Sequence, residues 1–308
     1  MDISVKNIVK NVTSSIIAIV IMFSVIVTMG VIFFKTTFIN ENTYKSVFEK
    51  VDTYDKVLES IEDNVSYALV VNNIPKDTLK GIISKEEVVD TMDSITDSFI
   101  GFLKGESSVV SYDIGEYKKR IDNGINKYLR DKNVYLNESQ NNDIENMKAT
   151  ILNIIDGELQ IINFSELSKS NAMIIVSKII SVLNSNIVLI GAIVVNILLL
   201  SLFFVIWKRR KARAYAWIGY TLVAAGMIVF LLSFSGYLSN FYEYVIIAIP
   251  YVAEAVGFII KKYLLNMSII GGVVTCMGVF CMSFYWKHLY KRYTYKGKIE
   301  EENVSWQY

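Results

Sequence analysis

The sequence predicts an all-α integral membrane protein with four transmembrane helices and an all-helical extracytoplasmic domain between the first and the second. Two observations lead to this prediction. Uncharged apolar stretches of about 20 residues, long enough to cross about 30 Å of hydrocarbon, occur near the start of the chain and in its second half. Between them lies a charged stretch of roughly 150 residues whose apolar positions recur with a helical period. The chain is 53% hydrophobic and 20% charged, and this composition excludes a disordered protein.

Four segments have the length and composition of membrane spans. Each must be helical in hydrocarbon, because an extended strand would leave its backbone N–H and C=O groups unpaired. The first segment also has a basic lead, Lys6 and Lys10, as a signal peptide does, but its apolar run is longer and no small-residue cleavage site follows. We therefore expect an uncleaved anchor. The predicted spans are residues 12–34, 187–207, 214–234 and 267–286.

Basic residues near the span ends predict the topology. The chain should be a multi-pass plasma-membrane protein, with a cytoplasmic N-terminus and first span in 1–35, an extracytoplasmic domain in 36–186, three spans in 187–286 and a basic cytoplasmic tail in 287–308. The loop between the second and third spans holds the main topology determinants. It could also attract anionic membrane lipid, although its effect on topology is sufficient to explain it. Its basic residues are Lys208, Arg209, Arg210, Lys211 and Arg213.

A fifth apolar stretch, Val245–Ile260, is interrupted by Pro250 and Glu254. We expect an outer interfacial helix at about 241–265 that lies on or dips into the membrane and is kinked at Pro250. An ionisable residue at membrane depth is by default a functional candidate, so Glu254, with Pro250 and Lys261, forms a candidate site. The alternative is that Glu254 lies at the water boundary and pairs with Lys261 or with lipid headgroups.

The predicted extracytoplasmic domain is acidic, with 24 acidic and 16 basic residues in 36–186, and it contains neither cysteine nor histidine. Ser84 with Glu87 predicts a capping box at the start of a helix. Carboxylates cluster on one face of this helix and could bind calcium or serve in acid–base chemistry, but their spacing is not that of an EF-hand loop. A solvated acidic face is therefore favoured. Its members are Glu86, Asp90, Asp93 and Asp97.

The sequence contains no set of residues typical of an enzyme. The single histidine, His288, lies at the cytoplasmic end of the fourth span, and both cysteines, Cys276 and Cys281, lie within that span. This placement excludes a His/Cys zinc site and a histidine-activated nucleophile in the domain. Gly271 and Gly272 lie in a span, where they favour close helix packing rather than phosphate binding. We expect no enzymatic activity, no cofactor and no nucleic-acid partner.

Helical patterns in the domain carry a family resemblance. The stretch from Tyr44 to Leu129, together with the four-span layout, resembles a family of uncharacterised bacterial four-pass envelope proteins, and this resemblance implies no particular activity. The layout is also similar to that of permeases of the cell-division and macrolide-export ABC type, from which the helical domain departs. The motifs that carry the first resemblance include Tyr54-Asp55-Lys56-Val57-Leu58, Ile74-Pro75, Phe102-Leu103-Lys104-Gly105 and Lys118-Lys119-Arg120.

Two functions follow from these patterns. The first is a non-enzymatic bacterial envelope protein whose external domain binds a partner protein, lipid or peptide, with the membrane bundle as anchor or relay; a second copy of the chain could be that partner. The alternative is a transport component, either an oligomeric channel or a permease-like subunit of an ABC-type system, motivated by Pro250 and Glu254. The absence of charged residues from the span centres argues against ion coupling through an intramembrane relay.

Overall fold

The computed structural model describes residues 3–107, 113–160, 164–244 and 246–305, which contain helices and no strand. The chain forms two compact units. The bundle unit comprises Met1–Phe38, Leu183–Phe241 and Lys261–Tyr308, and the domain unit comprises Ile39–Val182 and Tyr242–Ile260. In chain order the α-helices are α1 (Ile3–Phe33), α2 (Glu41–Lys50), α3 (Thr53–Val71), α4 (Lys85–Lys104), α5 (Gly115–Asp131), α6 (Glu138–Leu159), α7 (Phe164–Lys169), α8 (Asn171–Asn184), α9 (Asn186–Ile206), α10 (Lys211–Leu238) and α11 (Pro250–Ser305).

Four helical segments are long and apolar enough to cross a membrane, as the sequence predicts. Three of them contain a whole predicted span, and α9 contains all of the predicted span 187–207 except Trp207. Most of their side chains are not covered by other parts of the protein, and in α9 only 11% of the most apolar window is buried. Apolar helices that expose most of their surface are typical of contact with lipid. The segments are Ile8–Phe38, Asn186–Ile206, Lys211–Leu238 and Pro250–Lys291.

Polar side chains join the helices inside the bundle unit. Asn196 of α9 donates a hydrogen bond to Thr28 Oγ1 of α1 at 2.7 Å. Trp207, almost fully buried, donates from Nε1 to Ser14 Oγ at 3.0 Å. Hydrocarbon cannot form hydrogen bonds with these polar groups, so the groups pair with each other. The two bonds hold α1 against α9 and against Trp207, which directly follows it.

The domain unit has one hydrophobic core, built mainly from α3, α4, α5 and α6. The predicted capping box is confirmed: Ser84 Oγ accepts from the Glu87 N–H at 3.3 Å, and Glu87 Oε2 accepts from the Ser84 N–H at 2.8 Å. Helix α4 ends at Gly105, whose positive φ of 78° suits glycine. Apolar positions that recur with a helical period are buried, including Ile61, Val65, Val88, Met92, Ile95, Ile121, Ile125 and Ile151.

The segment 241–265 differs from the prediction. Phe241–Tyr244 forms a 3-10 turn, and Pro250 is the first residue of α11, where its missing N–H has no intrahelical partner to lose. Helix α11 then continues without interruption into the fourth predicted span, while Val245 lies outside the described residues. The prediction of a separate helix kinked at Pro250 was therefore wrong, whereas its position at the membrane interface stays a prediction. The apolar spacing of this segment reflects packing inside the domain unit, where Ala255 is 1% exposed.

Candidate functional site

Two of the four carboxylates on the predicted acidic face of α4 bind side chains of neighbouring helices. Asp93 accepts a hydrogen bond from the Tyr54 hydroxyl at 2.6 Å, and Lys45 pairs with Asp97 at 2.7 Å. Burial of the Tyr54 phenol and its bond to Asp93 raise the pKa of Tyr54. Burial lowers the pKa of Lys45, but the bond with Asp97 and the charge of Asp93 outweigh this effect and raise it overall. Half of the acidic face thus serves to join α2, α3 and α4.

Glu86 and Asp90, the other two members of this face, are exposed. Among the described residues, no group of three or more His, Cys, Asp or Glu side chains is arranged to hold a metal ion.

Glu254 forms an ion pair within the domain unit. The Lys56 ammonium donates to Glu254 Oε2 at 2.5 Å and to the Val51 carbonyl at 2.8 Å. Lys261, which belongs to the bundle unit, lies 5.5 Å from the ring centroid of Tyr237. The candidate site of Glu254, Pro250 and Lys261 stays a prediction.

A cavity of about 530 Å³ surrounds the Lys56–Glu254 pair. Beside it, Glu158 of α6 accepts hydrogen bonds from Ser60 at 2.9 Å, from Asn64 at 3.0 Å and from the Tyr251 hydroxyl. Both carboxylate oxygens of Glu158 therefore accept hydrogen bonds. Because the donors lie on α3 and α11, this network fastens the start of α11 to α3 and α6. Sequence reasoning missed Glu158, since cross-helix partners leave no signal in the spacing along one helix.

We predict that Glu254→Gln will change the free energy of unfolding by less than about 1 kcal/mol, because a solvent-exposed ion pair contributes little. The side chains of Lys56 and Glu254 are 36% and 45% exposed. Chemical unfolding of the full-length protein in detergent measures this change, with Glu59→Gln in the wall of the same cavity as the matched control. A loss several times larger than that of the control would contradict the assignment of a minor structural role.

A second cavity of about 530 Å³ lies at the end of the domain unit where α3 ends and α6 begins. We call it the amide groove, because carboxamides form much of its wall. Two turns with left-handed backbone lie at this end of the unit. Asn73 follows α3 with a φ of 59°, and Asn133 follows α5 with a φ of 52°. Its lining residues are Val71, Asn72, Asn73, Leu136, Gln140, Asp143, Ile144, Asn146, Met147 and Thr150.

Large apolar side chains stand exposed beside the amide groove, and we call them the apolar rim. Tyr67, Val70 and Val71 lie on the last turns of α3, and Val134 and Tyr135 directly precede Leu136 of the groove. Tyr135 is 94% exposed and Tyr67 72%. The run Val134-Tyr135-Leu136 between two turn signals could have indicated this surface from the sequence.

Helix α8 exposes large apolar side chains, although it also buries Ile180. Ser177 is buried and donates to the Phe102 carbonyl at 2.6 Å, while Ile175, Ile179 and Val182 are each more than half exposed. Ser185 alone separates α8 from α9. A helix that exposes several large apolar side chains has a surface suited to contact with lipid.

The basic loop residues from Lys208 to Arg213 line a third and larger cavity, of about 1000 Å³, in the bundle unit. His288 of α11 also lines this cavity. Sequence reasoning treated the loop chiefly as a topology determinant and placed His288 only at the end of the fourth span, so this cavity was not predicted.

No protein-family model, no curated protein and no solved structure matches this chain. The resemblance to bacterial four-pass envelope proteins therefore stays a prediction, and the surfaces described above are the basis for assigning a function.

Proposed function

We propose that the chain is a non-enzymatic plasma-membrane protein of the bacterial envelope whose domain unit lies outside the cell and binds a partner protein through the amide groove and the apolar rim. The bundle unit anchors the domain. Four apolar helices and the basic residues near their ends support the membrane anchor and its orientation, with both termini in the cytoplasm.

The apolar rim is the observation that carries this proposal. Each rim side chain exposes 44% or more of its surface although the core of the same unit is well packed. Covering apolar surface is worth about 25 cal/mol per Å². Contiguous exposed apolar surface on a folded domain is typical of interaction sites, and tyrosine is enriched in them.

The polar wall of the amide groove favours a polypeptide over a lipid as the occupant. The Asn73 and Asn146 carboxamides each offer donors and acceptors, which match the alternating N–H and C=O groups of a polypeptide backbone. An acyl chain would leave these amides without hydrogen bonds, at a cost of about 1–3 kcal/mol for each buried group. Lipid is better matched by the exposed apolar face of α8.

The transport alternative was motivated by Pro250 and Glu254. Glu254 forms its ion pair with Lys56, and Pro250 begins a helix, so both residues have structural explanations within the domain unit. No observation among the described residues specifically favours transport, and it stays an untested alternative.

Photocrosslinking in living cells tests partner binding. A photoreactive phenylalanine analogue at Tyr135 or Tyr67 retains the aromatic ring, and the same analogue at Asp90, exposed on α4, is the matched control. We expect a discrete adduct from the rim positions only, reduced by the additional change Val70→Asp. An adduct of twice the mass of the chain would identify a second copy as the partner. No adduct, or equal adducts at Asp90, would contradict the proposal.

A further inference from the structure

The loop between α9 and α10 gathers five cations on the wall of one cavity in the bundle unit. The cavity measures about 1000 Å³, within the upper range of small-molecule sites. The opposite wall comes from the end of the apolar part of α11, through Phe284, Tyr285, His288 and Leu289. The cations are Lys208, Arg209, Arg210, Lys211 and Arg213.

Among the side chains that the structure describes, no ion pair involves any of these cations. The Arg213 guanidinium lies 5.1 Å from the ring centroid of Trp207, and Lys10 approaches the same ring at 5.6 Å. Trp207 is in turn fixed by its hydrogen bond to Ser14. The first turn of α10 has no side chain capping its N–H groups, and these add partial positive charge on the same side.

Five like charges within six residues repel one another, and a bound anion relieves this repulsion. Guanidinium groups present paired N–H donors that match the oxygens of a phosphate. The aromatic residues Tyr215, Phe284 and Tyr285 provide an apolar wall against which the organic part of such a ligand can pack.

We propose that this cavity is a binding site for a phosphate-bearing ligand, either the headgroup of an anionic phospholipid or a small soluble phosphate compound. The site is separate from the amide groove and does not depend on the function proposed for the domain unit. The cationic loop then has a second role besides setting the topology.

Native mass spectrometry of the full-length protein, released from detergent micelles, measures binding directly. The probes are short-chain phosphatidylglycerol, a diacylglycerol of the same chain length without phosphate, and inorganic pyrophosphate. We expect phosphatidylglycerol to bind and diacylglycerol not to bind at the same concentration. Displacement of the lipid by pyrophosphate would assign a soluble phosphate as a competent ligand, and retention of the lipid would assign the headgroup. Failure of both phosphate probes to bind would overturn the proposal.

Two variants separate a shaped site from diffuse attraction. Arg209→Gln with Arg210→Gln should weaken binding of the bound phosphate probe about tenfold or more, because charge-assisted hydrogen bonds are lost. Ala212→Phe keeps every cation but fills the cavity, and it should weaken binding to a similar extent. The control, Lys287→Gln with Lys291→Gln, removes two charges from α11 outside the cavity wall. Unchanged binding in Ala212→Phe, or an equal loss in the control, would overturn the assignment to this cavity.

Discussion

Gly226→Ala will lower the thermal unfolding midpoint of the detergent-solubilised protein, whereas Gly272→Ala will not. A Cβ atom at Gly226 would lie 2.5 Å from Thr275 Oγ1 and 2.6 Å from the Thr275 backbone nitrogen. At Gly272 the nearest atom to a new Cβ is Phe230 Cδ2 at 3.8 Å, an ordinary van der Waals distance. Glycine to alanine at position 226 therefore forces α10 away from α11. The same substitution at position 272 meets no atom closer than ordinary van der Waals contact.

Gly226 belongs to a set of four glycines that lets α10 and α11 approach each other at backbone distance. Gly219 faces Gly278, and Gly226 faces Gly271, each pair bringing a carbonyl oxygen within 3 Å of the position of a new Cβ. Close approach of helices at small residues is a main source of packing energy between membrane helices. Because backbone atoms cannot rotate away, the cost at Gly226 should exceed the usual overpacking cost of about 1–3 kcal/mol.

Thermal unfolding followed by circular dichroism and size-exclusion chromatography measures both effects. Gly272→Ala should be neutral or slightly stabilising, because alanine favours a helix over glycine by up to about 1 kcal/mol. Gly226→Leu should be more damaging than Gly226→Ala, since a larger side chain forces a larger separation. Equal midpoints for the two alanine variants would contradict the packing of α10 on α11.

Local features of the fold could be predicted from the sequence because their physical cause is local. Uncharged apolar length indicates a membrane span directly, so the start of α9 lies within one residue of the prediction. The Ser84–Glu87 capping box is set by a few neighbouring residues. Gly271 and Gly272 were both expected to permit close packing; Gly271 does so, whereas Gly272 faces no backbone.

Features that depend on distant residues could not be predicted in this way. Lys56 and Glu254 are separated by 198 positions, so no spacing rule connects them. The apolar period of the segment before the fourth span is the same whether the segment packs on a protein domain or on lipid, so it did not show that the segment packs in the domain unit. The amide groove likewise joins the end of α3 to the start of α6. Its existence follows from tertiary packing.

The basic cavity shows how one set of residues can satisfy two physical demands. Positive charge after a span fixes orientation, and this effect alone explains the composition of the loop. Orientation, however, depends on the number of charges and not on whether they surround a volume of about 1000 Å³ closed on one side by aromatic side chains. That shape is the additional information supplied by the structure.

Cysteine labelling of intact cells should give an all-or-none result for the proposed orientation. With the native cysteines changed, Cys276→Ser and Cys281→Ser, a single cysteine in place of Asp90 should react fully with a membrane-impermeant maleimide. A single cysteine in place of Tyr290 should react only after the cells are permeabilised. Asp90 is exposed on α4 and Tyr290 is 74% exposed on α11, so both positions are accessible to the reagent once it can reach them.

The expected contrast rests on charge and on the number of spans. Five basic residues between α9 and α10 favour a cytoplasmic loop, and four candidate spans return the chain to the side on which it began. Labelling in detergent, where both cysteines must react, controls for local protection. Reaction of the Tyr290→Cys variant in intact cells, with the Asp90→Cys variant protected, would reverse the orientation and place the apolar rim in the cytoplasm. Reaction of both variants in intact cells would place Asp90 and Tyr290 on the same side of the membrane. An even number of crossings would then separate them, so at least one of the three later candidate spans would not cross the membrane.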